Sequence, residues 1–244
     1  MKALTPFLIL AFFTVLISCQ KDPHESPDPV QSLLKRKLYF NSIDDKEPYA
    51  VLNYEYDSNA KLVRTLSGKS FIDSFTYNSI NKLAYKRSFE NRYTDGFNLV
   101  DSTCYQYKDN LLVSEISYFP EYSDPIRYFR YEYENSKLRK KYEFNYSSFV
   151  LLTNYHYSGN LCYKETCFAD STGLKLTTNQ LHQYKYGKLI KSELFGFNGT
   201  KIQEIKYLYD ATGNLITEEG LKPNVETAQP YFYVIRYEYY NVIF

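Results

Sequence analysis

The sequence predicts an all-β protein: repeated antiparallel β-hairpins forming a twisted, curling or partly closed meander sheet. Three observations carry the prediction. Aromatic residues make up 18% of the 244 residues, with 28 Tyr and no Trp, and Tyr is a strand former with an apolar body and a polar tip. A Tyr-x-Tyr pair, then Asp, Asn or Gly, then Leu, recurs down the chain. Beyond the apolar start, no window holds a helical period.

Residues 33–40 read as a first strand and 41–48 as a polar turn. The repeats follow, as Tyr54-Glu-Tyr56, Phe75-Thr-Tyr77, Tyr105-Gln-Tyr107, Tyr131-Glu-Tyr133, Tyr155-His-Tyr157, Tyr184-Lys-Tyr186, Tyr207-Leu-Tyr209 and Tyr237-Glu-Tyr239. Their starts are spaced by roughly 21–30 residues, a range that signals repeat architecture. The irregular spacing suits hairpins with loops of variable length. A side-chain period of two puts both rings on one face and leaves Glu, Lys, Thr, Gln or His on the other. Asp, Asn and Gly reverse the chain, because they tolerate positive φ or bond their own backbone. Leu opens the return strand, which often ends at an aromatic, as in 83–89 and 189–195. Eight such units imply on the order of 16 strands. The unit that starts at Tyr237 is cut short by the C-terminus. The fullest copy is Tyr207, Tyr209, Asp210, Gly213, Asn214 and Leu215.

The N-terminus reads as an address. Lys2 precedes an almost wholly apolar run, too short and too poorly flanked to span a membrane comfortably. The run ends in Leu16-Ile17-Ser18-Cys19, which resembles a bacterial lipobox. The resemblance implies a signal peptide at 1–18, cleavage before Cys19 and lipidation of its thiol. Residues 19–31 then form a Pro-rich tether, and 32–244 a single β domain. Gln20-Lys21-Asp22, with Glu25 nearby, resembles the lipoprotein export signal of Bacteroidota. It implies an outer-membrane address, with the cell surface favoured over the periplasmic face.

The motif Tyr-x-Tyr-Asp-x-x-Gly-Asn-Leu resembles the YD repeat of the RHS family, met in full at 207–215 and in degenerate form elsewhere. In that family the repeats pair as antiparallel hairpins in a long curling sheet. This chain leaves no room for a toxin domain after the last repeat, and no self-cleavage core is found. Small Bacteroidota lipoproteins with degenerate YD-like repeats are the nearer comparison.

The net charge is +1, and Lys2 is the only charge in 1–18, so the remainder is neutral. That excludes nucleic acid as an expected partner, because phosphate binding needs a basic surplus. The expected partners are the membrane, through the anchor, and a glycan, a peptide or another envelope protein. No catalytic, cofactor or metal site is assigned. His24 lies in the tether, His156 on a polar strand face, and His182 just before a repeat. The spacing of His156, Cys162 and Cys167 fits no ligand pattern. Cys162 and Cys167 point to opposite faces of one strand, which forbids their bridging, and a bond from Cys104 to either stays open. Asp44-Asp45 and Glu218-Glu219 are expected in or near loops. The leading reading is a non-enzymatic envelope lipoprotein. Its rivals are a polysaccharide-acting enzyme, which needs two carboxylates converging on a cleft, and a remnant of an RHS-type shell.

Overall fold

In the computed structural model, residues 33–91, 96–222 and 231–240 are described. Cys19, the signal peptide and the tether lie outside them. The described chain forms sixteen strands: β1 (Leu34–Phe40), β2 (Ala50–Tyr56), β3 (Leu62–Ser67), β4 (Phe71–Tyr77), β5 (Leu83–Glu90), β6 (Asn98–Lys108), β7 (Leu111–Tyr118) and β8 (Arg127–Glu134). The second half runs β9 (Lys137–Asn145), β10 (Ser148–Ser158), β11 (Leu161–Phe168), β12 (Leu176–Lys185), β13 (Lys188–Gly196), β14 (Lys201–Tyr209), β15 (Leu215–Lys222) and β16 (Tyr231–Tyr239). Each pairs with its sequence neighbours, and β1 pairs with β16, so the meander closes into a barrel. Closure removes both sheet edges, the general liability of a long meander.

The repeat unit is a hairpin with one fixed irregularity. Just before its turn, the second Tyr of the unit faces a residue at the start of the return strand, Leu in every pair but Tyr157↔Cys162, and one residue of the return strand is skipped. The pairs are Tyr56↔Leu62, Tyr77↔Leu83, Tyr107↔Leu112, Tyr133↔Leu138, Tyr157↔Cys162, Tyr184↔Leu189 and Tyr209↔Leu215. The same bulge appears in the seam, where Tyr239 pairs Leu34 and Lys35 is skipped. The eighth unit is therefore not cut short. Its outgoing strand is β16 and its return strand is β1, taken from the other end of the domain. A hydrogen bond from Tyr240 N–H to Leu33 O, 2.8 Å, continues that pairing.

The sixth unit also needs correcting. Tyr184, not Tyr186, pairs Leu189, so His182 holds the first aromatic position and Tyr184 the second. Tyr186 sits in the turn at φ 53 beside Gly187 and is 92% exposed. Two-residue turns such as Asp109-Asn110 and Asn135-Ser136 have both residues at positive φ, as a type I′ hairpin demands. The longer turns are capped from within. Asp210 Oδ1 accepts the Asn214 N–H and the Thr212 hydroxyl, both at 2.8 Å. The Asn214 amide donates to Asp210 Oδ2, and Gly213 takes the left-handed conformation at φ 95. Asp57 caps its own turn through the Asn59 and Lys61 N–H groups.

Between units the ladders stop short of the Tyr end. The β7–β8 pairing, for instance, begins at Ser114↔Arg130 and does not include Tyr131 or Tyr133. A hydroxyl bridges the gap instead: Tyr133 Oη donates to the Leu112 carbonyl of the preceding unit. Tyr56, Tyr77, Tyr184, Tyr209 and Tyr239 bond Leu34, Leu62, Cys162, Leu189 and Leu215 in the same way, all at 2.8–2.9 Å. Tyr therefore serves at the second position for its oxygen as well as its ring.

Candidate functional site

Which wall is inner follows from the charges. Lys37 on β1 feels Glu218 on β15, and Glu115 on β7 feels Lys86 on β5 and Lys141 on β9. Side chains two strands apart converge like this only on the concave side. The Tyr faces therefore point inward, as does every residue paired with them. Burial concentrates in two arcs of the inner wall: Phe129, Tyr131, Leu138, Tyr155 and Cys162 in one, Tyr233, Ile235 and Tyr237 in another.

The inner wall is layered. Next to the turns lie the second Tyr and the Leu of each unit. Above them lie Tyr54, Phe75, Tyr105, Tyr131, Tyr155, His182, Tyr207 and Tyr237, each paired with a residue of its return strand. Those partners are Thr65, Lys86, Glu115, Lys141, Glu165, Ser192, Glu218 and Lys37. The lumen thus carries a belt in which Lys and Glu largely alternate. Burial pushes the Lys37 and Lys141 amines down and the Glu115 carboxyl up. Neighbouring groups of opposite charge and Tyr hydroxyls offset part of that cost. Glu115 accepts the Tyr131 hydroxyl. Lys141 lies 4.1 Å over the Phe129 ring. Glu218 accepts hydroxyls from Tyr233 at 2.8 Å and Tyr237 at 3.1 Å, and is only 2% exposed. The expectation that Glu218 lies in or near a loop is overturned: it is the seventh belt residue.

The bulge also decides the cysteines. Because Tyr163 is skipped, Cys162 and Glu165 both face inward despite an odd spacing, and Cys167, paired with inward Thr153, joins them. The expectation that Cys162 and Cys167 point to opposite faces fails for this reason. Cys104 pairs Tyr85 and Ile116 on the outer wall, and none of Cys104, Cys162 and Cys167 forms a disulfide. His156 faces outward opposite Lys164, on the polar face as expected. His182 is brought to Glu165 at 3.0 Å and to Ser192 at 2.9 Å. Sequence spacing missed this cluster, and only the Tyr184↔Leu189 register reveals it. Of the repeat residues, Tyr207 and Tyr209 are inward rings, Asp210, Gly213 and Asn214 build the turn, and Leu215 opens β15.

The two ends differ. The Tyr end has short capped turns. The other end carries the longer connections, and exposed apolar side chains gather there: Ile43, Tyr49, Tyr122, Tyr146, Leu174 and Phe197. Two shallow hollows open beside that rim. One is lined by Pro125, Tyr128, Phe144 and Tyr146, the other by Lys164, Asn179, Leu181, Phe195 and Phe197. The rest of the outer wall mixes ion pairs, Arg36–Glu238, Arg64–Glu55, Arg130–Glu132 and Lys191–Glu193, with exposed apolar side chains such as Tyr85, Leu208 and Phe232.

No family model and no curated protein matches the chain. Among solved structures it is similar to a porin-like protein from Bacteroides uniformis, at 12% identity over 84% of this chain and 97% of the other, with a TM-score of 0.39. A porin-like protein from Bacteroides vulgatus gives 10% identity over 87% and 100%, with a TM-score of 0.39. A protein of unknown function from Bacteroides fragilis gives 12% identity over 68% and 89%, with a TM-score of 0.20. At such identities and scores these likenesses decide neither family nor function.

Proposed function

We propose that the chain is an envelope lipoprotein, anchored through Cys19, whose barrel stands in water and acts as a non-catalytic binding module for an envelope glycan. The observation that carries the reading is the exposed aromatic rim at the loop end. Tyr49, Tyr122, Tyr146 and Phe197 present rings of which half or more is open to solvent, and such rings give contact area at low entropic cost. Beside them, Lys164 and Asn179 supply polar groups to one hollow. The outer wall supports a barrel held off the bilayer. A membrane-spanning barrel presents an apolar band about 25 Å tall, and an Arg or Lys at its midplane costs about 2–4 kcal/mol. A wall with Arg36, Arg64, Arg130 and Lys191 suits water instead.

An enzymatic reading would draw on the Ser192–His182–Glu165 chain, but the Ser192 hydroxyl is 2% exposed and beyond a substrate's reach. Asp73 and Asp101 share the inner wall, yet Lys86 lies 3.2 Å from Asp73 and its charge also favours the ionised Asp101.

The test uses the absence of Trp: intrinsic Tyr emission is titrated with a panel of envelope oligosaccharides. A saturable change that weakens about tenfold in both Tyr146→Ala and Phe197→Ala is expected, equal to about 1.4 kcal/mol each. A flat response to every glycan would remove the binding claim, and release of reducing ends would replace it with catalysis. Labelled palmitate tests the anchor separately. Equal labelling of wild type and Cys19→Ala would remove it.

A further inference from the structure

The eight hairpins repeat their inner residues, and three departures from the pattern fall together in one place. At the position opposite the second Tyr, seven units carry Leu and the fifth carries Cys162. At the first aromatic position, seven units carry Tyr or Phe and the sixth carries His182. In the belt, six units carry Lys or Glu, the first carries Thr65 and the sixth carries Ser192. Cys162, His182 and Ser192 are neighbours in space. The thiol of Cys162, a carboxylate oxygen of Glu165 and a ring nitrogen of His182 all lie within 4.8 Å of one another. Cys162 is fully buried, and the His182 side chain is 2% exposed.

We propose that Cys162, Glu165 and His182 form a zinc site in the wall of the lumen. A thiolate, an imidazole and a carboxylate are the donors Zn²⁺ takes, with a fourth position left for solvent or a ligand. The thiolate argues against the hard cations Ca²⁺ and Mg²⁺, which prefer oxygen alone. In a tetrahedral zinc shell the donor–donor edges are roughly 3.3–3.6 Å, as the bond lengths require. The His182 Nε2 to Glu165 Oε1 separation of 3.0 Å is already close to such an edge. The thiol has at most about an ångström to close, by rotation about one side-chain bond.

The hydrogen bonds show how the metal would enter. Without it, a neutral His182 turns Nε2–H to the Glu165 carboxylate, which can only accept, and leaves Nδ1 to accept from the Ser192 hydroxyl. With it, Zn²⁺ takes the place of the Nε2 proton, which moves to Nδ1. Ser192 then turns its hydroxyl to accept, orienting the ligand from behind as metal-bound imidazoles are commonly oriented. The Cys162 thiol gives up its proton to solvent, so one proton leaves per ion bound. Lys141 is the cation that competes for Glu165, which sets a limit on affinity.

The experiment titrates the full-length reduced protein, stripped with chelator and held in detergent, with Co²⁺ and then Zn²⁺. One equivalent of Co²⁺ should produce a thiolate-to-metal absorption band in the near ultraviolet, and Zn²⁺ should displace it. Cys162→Leu installs the residue carried by the other seven units, so it keeps the fold. It should abolish the band and the Zn²⁺-dependent rise in melting temperature. His182→Gln should weaken binding tenfold or more, and Cys104→Ser on the outer wall should change nothing. The site is overturned if the stripped wild type gives no band, or if the band survives in Cys162→Leu. Neither result bears on glycan binding at the rim.

Discussion

Consider the hydroxyls that cross from one hairpin to the next. In Tyr77→Phe, Tyr133→Phe and Tyr209→Phe the ring and its packing stay, and only the bond to the carbonyl of Leu62, Leu112 or Leu189 is lost. Each bond is near 2.9 Å, half-buried, and stands where the inter-unit ladder has stopped. The carbonyl left behind gains only partial access to water, so each loss should cost about 0.5–1.5 kcal/mol. The three sites lie on β4, β8 and β14 and share no partners, so the triple variant should lose roughly 3 kcal/mol by addition. For a domain of this size that corresponds to a fall of roughly 6–12 °C in melting temperature. Far-UV circular dichroism on heating reads it directly. The control is Tyr186→Phe, whose hydroxyl lies in an exposed turn and whose loss should be silent. A triple variant melting within about 2 °C of wild type, or a Tyr186→Phe as costly as Tyr133→Phe, would refute the claim that these oxygens hold the units together.

Burial raises the hydroxyl pKa of Tyr56, Tyr133 and Tyr239 to about 12. A proton held more tightly in the folded state stabilises it fully below the unfolded value near 10. That contribution is lost as pH climbs through about 12, so alkaline unfolding and Tyr ionisation at 295 nm should coincide in this window, and ionisation with a simple midpoint near 10 would contradict it. Ala60 occupies the left-handed position, φ 59, that Gly213 fills in the fullest copy; Ala60→Gly should stabilise by about 0.5–1 kcal/mol in urea unfolding, and any loss of stability would count against the shared turn geometry. Glu218→Gln replaces one acceptor of the Tyr233 and Tyr237 hydroxyls with a donor, leaving at least one buried group unsatisfied and Lys37 without its countercharge. It should cost about 1–3 kcal/mol, measured by urea midpoint, and a neutral result would mean the belt is not electrostatically paired.

The strands and the repeat were legible because alternation is a local signal. Tyr131 and Tyr133 share a face whatever surrounds them, and Asp210 to Leu215 specify their turn from within. Closure was not legible, because nothing in residues 33–40 resembles a repeat until β16 lies beside them. Leu34 looks like any strand Leu, and only its pairing with Tyr239 makes it the eighth return residue. The Cys162–Glu165–His182 cluster was hidden by the bulge. An alternation rule applied across positions 162–167 inverts the face of one member, and the sixth unit's Tyr184-Lys-Tyr186 spelling draws attention away from His182. Glu218 was misplaced because a charged pair reads as solvent-facing unless the Tyr hydroxyls that satisfy it are known.

The seam also sets an order of events in time. A chain made from its N-terminus delivers β1 first and β16 last, yet these two strands must pair. Until the final strand arrives, residues 34–40 offer a bare row of backbone donors and acceptors, able to recruit the edge of another copy. Hairpins one through seven can each form from neighbouring residues, quickly and alone. The last step brings together positions separated by about the whole domain, the kind of contact that folds slowly. An incomplete chain is thus an open ribbon with a free edge, and only the final strand turns it into a closed vessel.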